Sequence, residues 1–262
     1  MADDKKILAL LSRAAKGGLI TVHDAASVLS MENRTVSRKL ASLEHSGWLT
    51  RVRRGLYYVR PLEALPDRPT TAPDPWIVAS VLYDPCYIGG WSAAEHWDLT
   101  EQIFRETFIV TARFSRSSHE TVLGLAFRII RVTPKGRVLS TGSVWRDGGR
   151  IRVSSPERTV VDGLNDPSWL GGWRHLEQVI ETYIGGRRGD LAVLMAEVAA
   201  HGRGAAFKRL GFLSEKRWPD ERALVDLCLE RRSKGVVRLD PALPKRGKLD
   251  KRWGLWLNTR IS

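Results

Sequence analysis

Between Asn33 and His45 the sequence NRTVSRKLASLEH sorts its side chains by chemistry around a helical turn. Val36, Leu40 and Leu43 recur at i, i+4 and i+7 and so form one apolar stripe that must face a core. At about 100° per residue from that stripe, the opposite side carries Arg34, Arg38, Ala41 and His45, with Ser37 and Ser42 on its flanks. These are the side chains that read base edges: arginine pairs bidentately with guanine, asparagine with adenine, and serine with either. Asn33, Arg34, Ser37 and Arg38 fall in the first turns, from which a recognition helix reaches bases in the major groove. A second basic set, Arg51, Arg53 and Arg54, sits beside Gly55 and suits contacts to the phosphate backbone or the minor groove.

The elements that must hold these residues follow from the flanking sequence. A short helix over Asp24 to Leu29, a turn of Ser30, Met31 and Glu32, and a longer helix over Asn33 to His45 have helix-turn-helix spacing. The partners expected for the apolar stripe are Ala25, Ala26, Leu29 and Met31. Gly47 suits the end of the second helix. A hairpin follows, with strands over Leu49 to Val52 and Leu56 to Val59 and a turn of Arg53-Arg54-Gly55 whose glycine tolerates positive φ. That hairpin is a wing. Upstream, Lys5 to Lys16 places Ile7, Leu8, Leu10 and Leu11 at helical spacing to close a three-helix core, and Thr21 is a candidate cap for the next helix. The plain alternative is a small helical domain whose charges only keep it soluble. It requires turn spacing, apolar stripe, cationic face and arginine-tipped hairpin to coincide by accident.

The chain has 262 residues and a net charge of +13. Residues 1–60 hold 11 Lys and Arg against 5 Asp and Glu, residues 203–262 hold 16 against 7, and the middle of the chain is slightly acidic. Charge that served solubility alone would not need this segregation, whereas charge laid along a polyanion would. At the far end Arg231, Arg232, Lys234, Arg238, Lys245, Arg246, Lys248, Lys251 and Arg252 fall within 22 positions, opposed there only by Asp240 and Asp250. They are candidate contacts to nucleic-acid phosphates. No run of 18 apolar residues exists, so no membrane span is expected. The start MADDKKILALL does not resemble a signal peptide, which points to the cytoplasm. Cys86 and Cys228 lack metal-ligand spacing and read as buried thiols.

PLEALPDRPTTAPDP, from Pro61 to Pro75, carries five prolines and reads as an interdomain linker. The expected organisation is therefore a winged helix over residues 1–60, a linker over 61–75, and a larger mixed α+β domain over 76–262. In that domain helix is expected near Trp76 to Tyr83, Ser92 to Trp97 and Pro156 to Leu164, the last capped by Ser155, and PCYIGG is expected as a connector. Strands are expected over Glu106 to Thr111, Ala126 to Val132 and a hairpin from Ser143 to Val153. Four helices follow between Gly172 and Arg231, then strands near Val236 to Leu239 and Trp253 to Leu257. Trp76, Trp91, Trp97 and Trp145 sit amid apolar neighbours and read as core. Trp253 and Trp256 are interleaved with Lys and Arg, a pattern that suits nucleic-acid stacking as well as a last strand with one covered face.

No catalytic set emerges. The histidines are scattered, the Gly89-Gly90 and GGRRG runs lack a Walker lysine and read as tight turns, and Ser214-Glu215-Lys216, a weak match to the Glu-x-Lys that a nuclease carries on a strand, falls in a helical region. Asp162 in PERTVVDGL reads as a salt-bridge or capping partner rather than a base. No catalytic residue, metal site or cofactor is assigned.

Four motifs carry a family resemblance: RVRRGLYYV closing the winged helix, YIGGWSAAEHWDLTEQ at Tyr87 to Gln102, SSPERTVVDGL at Ser154 to Leu164, and LDPALPKRGKLDKRWGLWLN at Leu239 to Asn258. In that order they resemble the AbiEi antitoxins of type IV toxin-antitoxin systems, bacterial regulators linked to abortive infection. The resemblance implies an N-terminal domain that binds inverted-repeat operator DNA upstream of its own operon and represses it. It also implies a C-terminal domain that counteracts a nucleotidyltransferase-like toxin without a stable complex between the two. The corresponding expectation is a monomer in solution, two copies on inverted repeats and no membrane partner. The alternative from another class is a nucleic-acid-processing enzyme targeted by its winged helix, which would need a metal-dependent carboxylate cluster.

Overall fold

The computed structural model of the protein describes residues 2–15, 17–60, 73–115, 117–133, 141–146, 149–187 and 189–260. The proline-rich linker therefore lies, from 61 to 72, outside the described residues, as does the 147–148 tip of the expected Ser143 to Val153 hairpin. The chain divides into two compact units, one of Met1–Cys86, Thr111–Val132 and Ser143–Arg152, the other of Tyr87–Val110, Thr133–Gly142 and Val153–Ser262. The architecture is mixed α+β, with a winged helix-turn-helix at the N-terminus and a larger C-terminal domain.

The first unit opens with α1 (Ala2–Ala14), β1 (Leu19–Thr21), α2 (Val22–Leu29), α3 (Asn33–His45), β2 (Leu49–Arg53) and β3 (Leu56–Val59). Thr21 caps α2: its Oγ1 accepts the Asp24 N–H at 3.1 Å and donates to Asp24 Oδ2 at 2.6 Å. The α2–α3 turn is closed by Ser30 in the left-handed region at φ 51° and by the Met31 N–H donating to the Ala26 carbonyl at 3.1 Å. That turn points Met31 outward, 42% exposed, so it is not the stripe partner its apolar character suggested. Val36, Leu40 and Leu43 are buried with Ile7, Leu8, Leu11, Ala25 and Ala26 in one core. Gly47, at φ 76°, ends α3 as expected, with the Trp48 N–H returning to the Leu43 carbonyl. Leu19 to Thr21, for which the sequence signals no strand, pairs antiparallel with β3 and makes a sheet of order β1-β3-β2.

Next comes α4 (Pro75–Leu82), which begins one residue earlier than the pattern indicated because Pro75 occupies its first turn and Asp74 accepts the Trp76 and Ile77 N–H groups. It is apolar on all sides and buried accordingly. A β-carbon at Gly17, where φ is +56°, would lie 2.3 Å from Ile77 Cγ2, so α4 and the winged helix approach through a glycine. The connector expected at Cys86 contains a short strand, β4 (Cys86–Ile88), followed by α5 (Gly90–His96) and β5 (Glu106–Thr111). The chain then returns to the first unit as an antiparallel hairpin, β6 (His119–Val122) and β7 (Leu125–Arg131), and as the larger parts of the neighbouring strands β8 (Thr141–Arg146) and β9 (Gly149–Ser154), whose residues 141–142 and 153–154 belong to the second unit. Trp145 on β8 is 74% exposed, not core. Apolar neighbours in sequence cannot say which side of a strand a residue takes, because successive side chains alternate.

In the second unit β4 and β9 run parallel, with Ile88 opposite Val153. Gly90, at φ +51°, sits where a β-carbon would meet the Trp169 carbonyl at 2.6 Å and the Phe108 ring, which accounts for the glycine pair opening α5. Helices α6 (Pro156–Asn165), α7 (Trp173–Gly185), α8 (Leu191–His201), α9 (Gly204–Arg217) and α10 (Arg222–Arg231) follow, then β10 (Val237–Arg238), β11 (Lys248–Asp250) and β12 (Leu255–Leu257). Ser155 caps α6 as expected, accepting the Arg158 N–H at 3.1 Å. Burial pushes the thiols of both cysteines up to about 12, which leaves them unreactive.

Asp162 is the salt-bridge residue it resembled. Its carboxylate accepts Arg158 Nε at 2.8 Å and the Tyr87 hydroxyl at 3.3 Å. Burial outweighs the pull of Arg158 and raises its carboxyl from 3.8 to about 6. A folded-state value above the unfolded one means that the folded protein holds this proton more tightly. The group's stabilising contribution is thus full below about 3.8 and is lost as pH rises through about 6. Asp162→Asn, which cannot titrate, is expected to flatten that part of the stability profile. Urea midpoints across this range test it, and parallel profiles for the two proteins would rule it out.

Candidate nucleic-acid interface

The reading head is built on α3. Its buried side, Val36, Leu40 and Leu43, fixes the rotation of the helix, and Asn33, Arg34, Ser37 and Arg38 are consequently all exposed. Asn33 is the first helical residue and Arg34 the second, so amide, hydroxyl and guanidinium groups crowd the N-terminal two turns. The helix dipole is positive there and adds to the attraction for an anionic groove. All four residues singled out for base contacts therefore share one solvent-facing patch.

The wing separates its three arginines. Gly55, at φ 76°, makes the turn, and the β2–β3 register shifts between Arg51 and Arg53. Such an irregularity bends the strand and re-aims the side chains beyond it. Arg51, Arg53 and Arg54 are all exposed at the wing. Arg53 also donates from Nη1 to the Leu82 carbonyl at 2.9 Å, where Arg113 Nη1 donates at 3.2 Å. Leu82 is the last residue of α4, and the negative end of the helix dipole attracts cations. Partial burial, and then the neighbouring Arg113, lower the Arg53 pKa. One wing arginine thus ties the hairpin to α4, a role that sequence spacing could not reveal because its partner is 29 residues away.

At the far end all nine cations from Arg231 to Arg252 are exposed. They are less unopposed than the sequence window suggested. Arg252 Nε lies 2.8 Å from Glu215, and Arg231 Nε lies 3.4 Å from Glu230. Arg238 donates to the Leu243 carbonyl at 2.8 Å, and Lys245 Nζ lies 4.5 Å from the centre of the Trp256 ring. Lys234, Arg246, Lys248 and Lys251 make no ion pair among the described residues. The two tryptophans divide: Trp253 is fully buried and donates to Glu215 Oε2 at 2.7 Å, while Trp256 stays partly open. Glu215 lies in α9 with its carboxylate engaged by Trp253 and Arg252, not on a strand as a nuclease carboxylate would be.

Residues 8–60 match a family model described as a transcriptional regulator, AbiEi antitoxin. No curated protein matches the chain by sequence. Among solved structures, the crystal structure of the RV2827C protein from Mycobacterium tuberculosis is similar with a TM-score of 0.63 and 16% identity, covering 97% of this chain and 91% of that one. At that identity the likeness shows a shared fold and nothing finer. The matched segment is the winged helix, which is thus similar to that of the AbiEi antitoxin transcriptional regulators.

Proposed function

We propose that this protein is an antitoxin and the autorepressor of a type IV toxin-antitoxin operon. It binds inverted-repeat operator DNA upstream of its own gene and counteracts a nucleotidyltransferase-like toxin. The observation that carries this reading is the exposed set Asn33, Arg34, Ser37 and Arg38, held on a helix whose other side is locked into a core. Two copies on an inverted repeat would place their α3 helices in successive major grooves, one turn or about 34 Å apart. Footprinting on the DNA upstream of the gene tests it. Protection of two half-sites at that spacing is expected, and protection without sequence preference would reject operator recognition.

Around this head, Arg51 and Arg54 contact phosphates through the wing while Arg53 aims the hairpin from α4. Neutralising Arg51 or Arg54 is expected to weaken specific and random DNA binding alike and to lower the salt slope by about 0.9 per lost contact. Salt titrations in which both variants kept the wild-type slope would remove the wing from the interface. The exposed cations between Arg231 and Arg252 add contacts to nucleic-acid phosphates at the other end of the chain.

A further inference from the structure

Strands β10, β12 and β11 lie in that order, and the alternation of side chains along them gives the small sheet two unlike faces. Leu239 and Leu255 are buried in the helical core, with Val237 and Leu257 packed against it. Trp256 is on the other face. Its register partners are Arg238 on β10 and Leu249 on β11, so these three side chains stand side by side. Val236 and Leu249, 52% and 38% exposed, add aliphatic surface beside these cations. Trp256, Arg238, Val236, Pro241, Lys245 and Arg209 line a cleft of about 550 Å³, within the range of small-ligand sites. The Trp256 Nε1–H is buried with no acceptor among the described residues.

The surface is also held rigid. Buried Arg209 donates to the carbonyls of Leu239 and Arg238 at 2.9 Å and of Leu164 at 2.8 Å, fixing β10 in place. Asn258 Nδ2 donates to the carbonyls of Asp240, Leu243 and Pro244, pinning the loop that delivers Lys245. The Trp256 ring is thus preorganised, and Lys245, whose Nζ lies over it 4.5 Å from the ring centre, swings off to a phosphate when a base arrives.

We propose that this face is a stacking platform for an unpaired nucleotide of a single-stranded nucleic acid, with Trp256 taking the base and Arg238 and Lys245 the flanking phosphates. Phosphates alone would not call for Trp256, Val236 and Leu249 at the surface. The bases of a duplex are stacked inside it and cannot reach an indole face, whereas unpaired bases of any sequence can. This deepens the reading of the far-end cations as phosphate contacts and is independent of operator recognition by α3.

The test uses the full chain and fluorescein-labelled oligo(U) and oligo(dT), with a random duplex as control. Trp256→Ala is expected to weaken single-strand binding about 5- to 150-fold, while Trp256→Phe, which keeps an aromatic face and a packed sheet, retains most of it. Lys245→Gln is expected to lower the single-strand salt slope by about 0.7. Duplex affinity and the operator footprint should be unchanged in Trp256→Ala. The oligonucleotide bound more tightly identifies the strand as RNA or DNA. Failure to bind either one overturns the proposal, as does equal loss in the Phe and Ala variants, or a duplex loss parallel to the single-strand loss.

Discussion

Replacing Arg34 or Arg38 with alanine is expected to cost about 1 to 3 kcal/mol on operator DNA and far less on random DNA. Both side chains are exposed on α3, so neither removal opens a cavity. The helix that carries them is fixed independently, by Val36 and Leu40 at zero exposure and by the Gly47 turn at its end. A loss of affinity in these variants therefore reports on DNA contacts and not on folding. What separates base reading from phosphate binding is the contrast between the two DNAs. A bidentate pair to a guanine edge is worth nothing on a sequence that lacks the guanine, whereas a phosphate contact is worth the same everywhere. Titrations of each variant against operator and random duplexes make the distinction. Equal loss on both would reassign that arginine to the backbone.

Gly211→Ala is expected to destabilise the second unit by about 1 to 3 kcal/mol or more. Two effects oppose each other at this position. Alanine in place of glycine within a helix favours folding by about 1 kcal/mol, and Gly211 lies within α9. A β-carbon there, however, would stand 2.2 Å from two atoms of the Trp253 ring and 2.8 Å from Cys228 Cβ. The ring cannot yield cheaply, because it is fully buried and its Nε1 is bonded to Glu215. Overpacking wins. The displaced ring precedes β12 in the chain, so the strand carrying Trp256 should be disturbed as well. Thermal melts of the Ala variant check the prediction, and a rise in stability would show that propensity outweighs the close contact.

The parts of this protein legible in its sequence are those set by short-range periodicity and by residues with special backbone chemistry. Val36, Leu40 and Leu43 at helical spacing located both the buried side of α3 and the exposed side opposite, since rotation about a helix axis follows from spacing alone. Thr21, Gly47 and Ser155 marked element ends because capping and positive φ are local requirements. What depended on distant partners was not legible. Met31 and Trp145 carry apolar side chains into solvent, and no neighbour in sequence signals it. Arg53 had the same local character as Arg51 and Arg54, yet the end of α4 captures it. Trp253 and Trp256 share one basic, aromatic segment, and only the packing of β12 against β10 and β11 sends the first into the core and the second to the surface beside Arg238. Sequence alone determined a winged helix with a cationic reading face, because that face is written within a dozen consecutive residues. Tertiary structure decided how Arg53, Arg252, Trp253 and Trp256 are used, because their partners Leu82, Glu215, Arg238 and Leu249 are brought to them only by packing.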